Sequence, residues 1–305
     1  MRSSGAFLGI DIGGTSVKGA LMDGPREVWT GKSRAYARPG TPELEAAVRE
    51  VAQSAVVASG GRAIATVGVC APGLRDANGV ITKALNVPGL VGLSPAMLIA
   101  RAMPELAGVH IMEFTDAHAA AADYWRTHPA AGRMLALSMG TGIGACVLDA
   151  REGGKPVALI VTGSGPGQIG QMDVGMEECE EDTWAGKPMP QGAGTLESHM
   201  GLPALRARFG EDAATLQAAI ENGRLRAHRW PLRALVRAMR IAHAIYLPDR
   251  IVLLGGVGIR LRPLLGEMRA RVADGLTSLA KPDWMLEAGE SDFHAARGAA
   301  WMAGE

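Results

Sequence analysis

The stretch AFLGIDIGGTSVKGALM, residues 6–22, decides the fold. A β-prone run, Ala6–Ile12, meets Gly13-Gly14, and a second run follows over Lys18–Met22. Two such runs about a glycine turn predict a hairpin. The turn also carries chemistry: Asp11 precedes it, and Thr15 and Lys18 follow it. Backbone N–H groups in a glycine turn converge on anionic oxygens and hold phosphate. Asp11 would hold Mg²⁺ through water, since Mg²⁺ keeps most of its waters, and Lys18 would add a point charge. A plain hairpin turn with a solvated lysine is the competing reading.

Outward from this hairpin, strand and helix signals alternate. Leu44, Ala47, Val48, Val51 and Ala55 recur at helical spacing over 41–59, behind the start signal Thr41-Pro42. Strands are predicted at 65–71, ending on Pro72-Gly73, and at 109–114, ending on Thr115-Asp116, with helices at 93–103 and 117–126. This alternation argues α/β. In the second half a strand at 133–139, the glycine turn Gly140–Gly144 and a returning strand at 145–148 resemble the first hairpin, a sign of duplicated domains. Residues 150–200 are irregular and rich in Gly and Pro. Helices are predicted at 202–209, 213–222, 230–245, 259–273 and 295–303, and a strand at 250–254 runs into Gly255-Gly256.

Composition narrows the function classes. A length of 305 residues suits two domains or one large one. Lys plus Arg and Asp plus Glu each total 31, so no basic excess exists to hold a nucleic-acid backbone. With 48% hydrophobic and 20% charged residues the chain can bury a core; at 4% aromatics that core is aliphatic. Cys70, Cys146 and Cys179 lie far apart without a CxxC pair, which predicts reduced thiols in a cytoplasmic protein. No signal-peptide core and no long apolar stretch predict any membrane segment.

The 41 glycines invite over-reading. Gly31-Lys32-Ser33 resembles the end of a P-loop, but Arg26 stands where its first glycine belongs. Residues 165–170 match G-x-G-x-x-G by letter without the strand and helix that motif needs. By contrast GTGIG (140–144) and LGGVG (254–258) each end a strand, as Gly13-Gly14 does. The last leaves room for a flat ring on the backbone. Three such loops fit a nucleotide better than three unrelated turns.

In order, DIGGTSVK (11–18), APG (71–73), NVPG (86–89), TDAHAAA (115–121), GTGIG, LLGGVG (253–258) and GAAWMA (298–303) resemble the ROK family of sugar kinases, within the actin/hexokinase/Hsp70-type ATPase superfamily. The likeness runs from Leu8 to Ala303. It implies two ribonuclease H-like α/β domains flanking a cleft that takes ATP and Mg²⁺, with a sugar beneath the γ-phosphate, and a homodimer. The expected domains are 1–117 and 118–294, with 295–305 packing back on the first. By matching motif, Asp11, Gly13, Gly14, Thr15 and Lys18 belong to the first phosphate loop. Gly140, Thr141 and Gly142 belong to the second, and Gly255 and Gly256 to the adenosine loop. Gly73, Asn86, Thr115, Asp116, Gln168, Gln171 and Glu197 fall on sugar-binding positions. Repressors of this family carry a DNA-binding winged helix before the first loop; only seven residues precede Leu8, so no such repressor is expected.

Asp116 matches the catalytic aspartate. It ends a strand, where α/β sites form, and a carboxylate there can take a sugar hydroxyl's proton. Without the family pattern an Asp before an Ala-rich helix reads first as an N-cap.

The departures concern the substrate. Thr115 stands where the family usually has Asn. Gln168 and Gln171 replace the Glu and His of its E-x-G-H segment. The cysteine cluster that binds zinc in many members is reduced to Cys179, and one thiol with a neutral Gln makes no four-ligand zinc site. The acidic run Glu177, Glu178, Glu180, Glu181, Asp182 reads as solvated. Glu197, in a stretch resembling G-C-L-E, reads either as a sugar ligand or as a solvent-facing residue at a helix start. Gln donates as well as accepts, which puts a hexose, an amino sugar and a cyclitol on an equal footing. His118, His199 and Gln191 lie near these motifs in sequence only. The expected function is an ATP-dependent kinase acting on a sugar-like hydroxyl. The competing one is a non-catalytic nucleotide- or sugar-binding protein with a regulatory role, motivated by Gln168 and Gln171 and opposed by Asp11, Lys18 and Asp116.

Overall fold

A computed structural model of the chain describes residues 5–106, 108–150, 155–161, 167–178, 192–210, 213–280 and 283–305. The chain splits into two compact units. One takes the described residues of Met1–Ala130 and Ser291–Glu305 with Val161, and the other those of Ala131–Ile160 and Gly167–Glu290.

The first unit is built on the expected hairpin. Strand β1 (Ala6–Ile12) pairs antiparallel with β2 (Val17–Asp23), which sets Asp11 opposite Lys18. On the far side of β2 lies β3 (Arg26–Lys32). On the other side of β1, β4 (Ile64–Cys70) and β7 (His110–Phe114) add in parallel. Between these two, β5 (Leu74–Arg75) and β6 (Ile81–Lys83) form a separate small hairpin. Every residue of β1 is buried, as a central strand covered on both faces demands. On one face helix α1 (Thr41–Ala58) presents Leu44, Val48, Val51 and Ala55. On the other lies the C-terminal helix His294–Gly304. That helix sits flush because Gly9 of β1 and Gly68 of β4 have no side chain; a Cβ on either would overlap the carbonyl of Ala296 or Ala299. Helix α2 (Pro95–Ala102) is capped by Ser94, whose hydroxyl accepts from Met97 N–H at 3.1 Å.

The second unit repeats the strand order. Strands β8 (Arg133–Met139) and β9 (Ile143–Asp149) make the hairpin, β10 (Val157–Val161) flanks β9, and β11 (Arg250–Leu254) and β12 (Met285–Ala288) extend β8 in parallel. The duplication suggested by two glycine hairpins thus extends to a five-stranded sheet in each unit. Among the described residues no helix is long and apolar enough to cross a membrane.

Several expectations are corrected. Strands β3, β10 and β12 were not anticipated: β3 and β10 are exposed or half-buried throughout, and β12 has only four residues. The helix expected over 259–273 is a 3-10 turn, Ile259–Leu264, followed by a helix, Leu265–Ala273. Pro263 lies at the change, where its ring cannot donate the amide hydrogen bond an α-helix needs. The expected domain boundary at 117/118 falls inside α3 (Asp116–Thr127), and the first unit runs on to Ala130. Helix α3 stays with that unit because Gly298 of the C-terminal helix lies bare against the Ala119 carbonyl.

Candidate active site

In the first unit the hairpin turn is held from outside. Gly13 N–H donates to Ser16 O at 3.1 Å, Tyr36 Oη donates to Gly13 O at 2.7 Å, and Tyr36 N–H donates to Thr15 O at 2.9 Å. Gly13, Gly14, Thr15 and Lys18 are half-buried, beside buried Asp11. Lys18 is not a solvated lysine. Its Nζ donates to Asp292 O at 2.9 Å and lies 3.4 Å from that residue's carboxylate. Sequence reasoning missed Asp292, which is 274 positions from its partner.

Asp116 and Thr115 divide two roles that the sequence left open. Thr115 is the N-cap of α3, its hydroxyl accepting from His118 N–H at 3.3 Å. Asp116 is the first helical residue, half-buried, and its charge reaches Asp11. Capping therefore accounts for Thr115 and not for Asp116.

These carboxylates load the cluster with negative charge. Asp11 is pushed up to about 6, first by burial and then by Asp116 and Asp292, against the opposing pull of Lys18. The sign follows from linkage: a raised carboxylate penalises the fold above about pH 6, and the penalty is gone below the ordinary value of 3.8. Replacing Asp11 with Asn should therefore stabilise the free protein at pH 7 by on the order of 1–3 kcal/mol, and the gain should vanish near pH 4. Chemical denaturation at the two pH values measures both.

In the second unit two glycine loops meet. Gly140, Thr141 and Gly142 close the β8–β9 hairpin, with Gly140 N–H donating to Gly142 O at 2.9 Å. Gly255, at φ 75°, brings its Cα against Met139 O, next to that turn. Gly256 O accepts from the Arg260 guanidinium. A Cβ on Gly140 would meet nothing within 4 Å, and its φ lies outside the left-handed region. Neither packing nor a left-handed φ requires glycine there, so a side chain at this position tests the loop without disturbing the fold. We expect Gly140→Ala to leave stability within about 1 kcal/mol and to weaken Mg·AMPPNP at least about tenfold. Calorimetric titration measures the second.

Glu197 adopts neither expected role outright. Half-buried, it turns onto the second loop and accepts from Ile143 N–H at 3.0 Å. Gly142, Gly170 and Gly201 surround it, and a Cβ on any of them would press on Glu197 itself. Gln168 and Gln171, both exposed, bracket the 3-10 turn Ile169–Gln171 that carries Gly170. Asn86 is half-buried in the first unit. The fold itself requires glycine at 73: its φ is 121°, and a Cβ would lie 2.7 Å from Lys83 O.

His199 is structural. It is buried, its Nε2 lies 2.8 Å from Gly175 O, and its ring centroid lies 4.4 Å from that of Trp230. Burial, outweighing the hydrogen bond to Gly175 and the charge of Glu177, keeps it below the usual histidine range. Burial likewise lowers His118. The thiols of Cys70 and Cys146 are buried and free, and burial pushes that of Cys146 up to about 12. Among the described residues no three His, Cys, Asp or Glu side chains are grouped to hold a metal. Cys179, Gln191 and Glu180, Glu181 and Asp182 of the acidic run lie outside the described residues.

The sequence model of the ROK family matches residues 7–305. The chain belongs to the ROK family. Its fold is also that of solved ROK structures. A ROK hexokinase from Thermus thermophilus is 22% identical with a TM-score of 0.64, over 98% of this chain and 97% of that one. A ROK glucokinase from Streptomyces griseus, in complex with glucose and AMPPNP, is 18% identical with a TM-score of 0.69, over 98% and 99%. A ROK transcriptional regulator homologous to the E. coli MLC protein is 16% identical with a TM-score of 0.67, over 99% and 78%. Among curated proteins none matches the sequence.

Proposed function

We propose that this ROK protein is an ATP-dependent kinase that phosphorylates a hydroxyl of a sugar or sugar-like substrate. The observation that carries the reading is Asp116. Relieved of capping by Thr115, it shares one charged cluster with Asp11 and Lys18. The hexokinase and glucokinase relatives support the reaction class, and the glucokinase's AMPPNP supports the donor.

The residues present fit a nucleotide. In the first unit the half-buried turn Gly13-Gly14 would take phosphate; in the second, the open space over Gly140 would take phosphate and the Gly255-Gly256 loop adenosine. Asp11 would hold Mg²⁺ through water. ATP and Mg²⁺ supply an activated phosphoryl group whose transfer rests on positioning and charge neutralisation. Lys18, fixed by Asp292, presents its ammonium beside Asp11. Asp116 accepts the proton of the attacking hydroxyl. Thr115 fixes the helix end from which Asp116 projects. Gln168 and Gln171 meet the sugar with neutral groups that donate and accept, while Glu197 steadies Ile143 N–H in the second loop. Gly73 and Asn86 would border the same substrate. The reading carries with it a cytoplasmic location and a homodimer.

A coupled ADP-release assay over hexoses, amino sugars and cyclitols tests it. One substrate class should raise turnover at least tenfold over background. If none does while Mg·AMPPNP still raises the melting temperature, the protein is a nucleotide-binding regulator. The likeness to a ROK regulator and the two glutamines favour that second reading.

A further inference from the structure

We propose that the second unit carries a separate site for a soluble, multiply phosphorylated anion, in a groove along the helix Leu232–Tyr246. The groove has a volume of about 1670 Å³ and is lined by Arg224, Arg229, Arg233, Arg237 and Arg240. Glu177 and Glu178 are the acids among its described lining residues. Glu177 is already engaged, 3.4 Å from Arg208. Two of the five arginines are also occupied: Arg224 lies 5.3 Å over the Phe209 ring, and Arg240 Nη2 donates to Gly275 O at 2.7 Å.

Arg229, Arg233 and Arg237 are exposed, and among the described residues none of their guanidinia has a hydrogen bond or ion pair. They recur every four residues, so Arg233 and Arg237 stand on one face of the helix, where like charges repel. Arg237 lies against the bare Cα of Gly175, at φ 82°; a Cβ there would come within 3.1 Å of its Nη1. On a chain of zero net charge, this concentration of unpaired cations is a local feature that composition conceals.

The chemistry of the partner follows from the side chains. Guanidinium forks match phosphate oxygens two at a time. Arg233 and Arg237 stand about 6 Å apart along the helix axis, with Arg229 four residues before Arg233, so linked phosphates reach more of the three than orthophosphate does. The recess admits a slender anion more readily than a flat bilayer.

The test is calorimetric titration of the full chain with inorganic tripolyphosphate, with and without saturating Mg·AMPPNP. With the nucleotide loops filled by Mg·AMPPNP we expect one tripolyphosphate per chain; without it, any further binding belongs to those loops. The affinity of that one tripolyphosphate should fall at least about tenfold on raising salt from about 50 to about 300 mM, and at least about tenfold in R233E/R237E. That variant should keep its melting temperature and its AMPPNP affinity; should charge reversal disturb folding, R233Q/R237Q replaces it. Orthophosphate should bind at least about tenfold more weakly. Loss of tripolyphosphate binding when Mg·AMPPNP is present would place the anion on the nucleotide loops and overturn the proposal. So would equal binding by the variant, no binding at all, or tighter binding of duplex RNA or anionic vesicles. A shift from dimer to monomer in R233E/R237E, with no tripolyphosphate binding by the wild type, would assign the face to a second copy instead. No arm measures turnover, so the outcome is independent of the kinase reading.

Discussion

Asp116→Asn is expected to lower kcat by about 10²–10⁴-fold, the range a positioned general base contributes, while barely changing the stability of the free protein. Two effects on stability oppose each other. Removing a negative charge from the first turn of α3 loses a favourable interaction with the helix dipole, about 0.3–1 kcal/mol. The same change removes one of the charges that push Asp11 up. The cap is untouched, because Thr115 supplies it. A fall in kcat with KM for ATP and melting temperature both near wild type is therefore the expected pattern. Unchanged kcat would remove Asp116 from the mechanism.

The second large effect falls on stability. Asp123, fully buried on α3, accepts from Arg126 Nη2 at 2.7 Å and Arg297 Nε at 3.1 Å, and lies 2.7 Å from His294 Nδ1. Two of these partners stand on the C-terminal helix, so the carboxylate clasps that helix to α3. Burial works against its ionisation. The hydrogen bonds from His294 and Arg126, with the Arg297 charge, outweigh burial and hold it below the usual carboxylate range. Breaking a buried pair from one side costs about 3–5 kcal/mol, since the partners stay buried; Asp123→Ala should lose that much in urea denaturation. Glu27, on the exposed rim of the same network at 3.0 Å from Arg297, should cost under about 1 kcal/mol when changed to Gln. With a lowered native pKa, the clasp's contribution is present above the ordinary carboxylate range and is lost as pH falls through the native value. The wild type should show that acid slope, and Asp123→Ala should show less of it. Because Asp292 lies two residues before His294, loosening the clasp should also release Lys18 and weaken Mg·AMPPNP.

What the sequence discloses and what it conceals divide along a physical line. Both hairpins, α1 and the strand ending at Thr115 are legible because each is a local pattern: a β run, a glycine turn, an apolar stripe. The edge strands β3 and β10 are not, since exposed edges carry no strong alternation. Within the site, Asp11, Lys18 and Asp116 stand out because each sits at a strand end beside a turn. Asp292 and Asp123 do not, because their partners lie 274 and 171 positions away and only the folded C-terminal helix brings them together. Glu197 shows a subtler limit. Gly142, Gly170 and Gly201 resemble turn glycines in the sequence, yet none has a positive φ; the missing Cβ of Gly142 and Gly170 leaves room for the Glu197 carboxylate, and that of Gly201 for the Glu197 backbone and Cγ.

The most direct test of the account follows the γ-phosphoryl group itself. Protein, Mg²⁺ and γ-labelled ATP are incubated with the best substrate of the sugar panel, and the products are separated by charge. The account predicts label in a sugar phosphoester, formed by the wild type and suppressed in Asp116→Asn. Label confined to orthophosphate, or left in ATP while Mg·AMPPNP still binds, would contradict it.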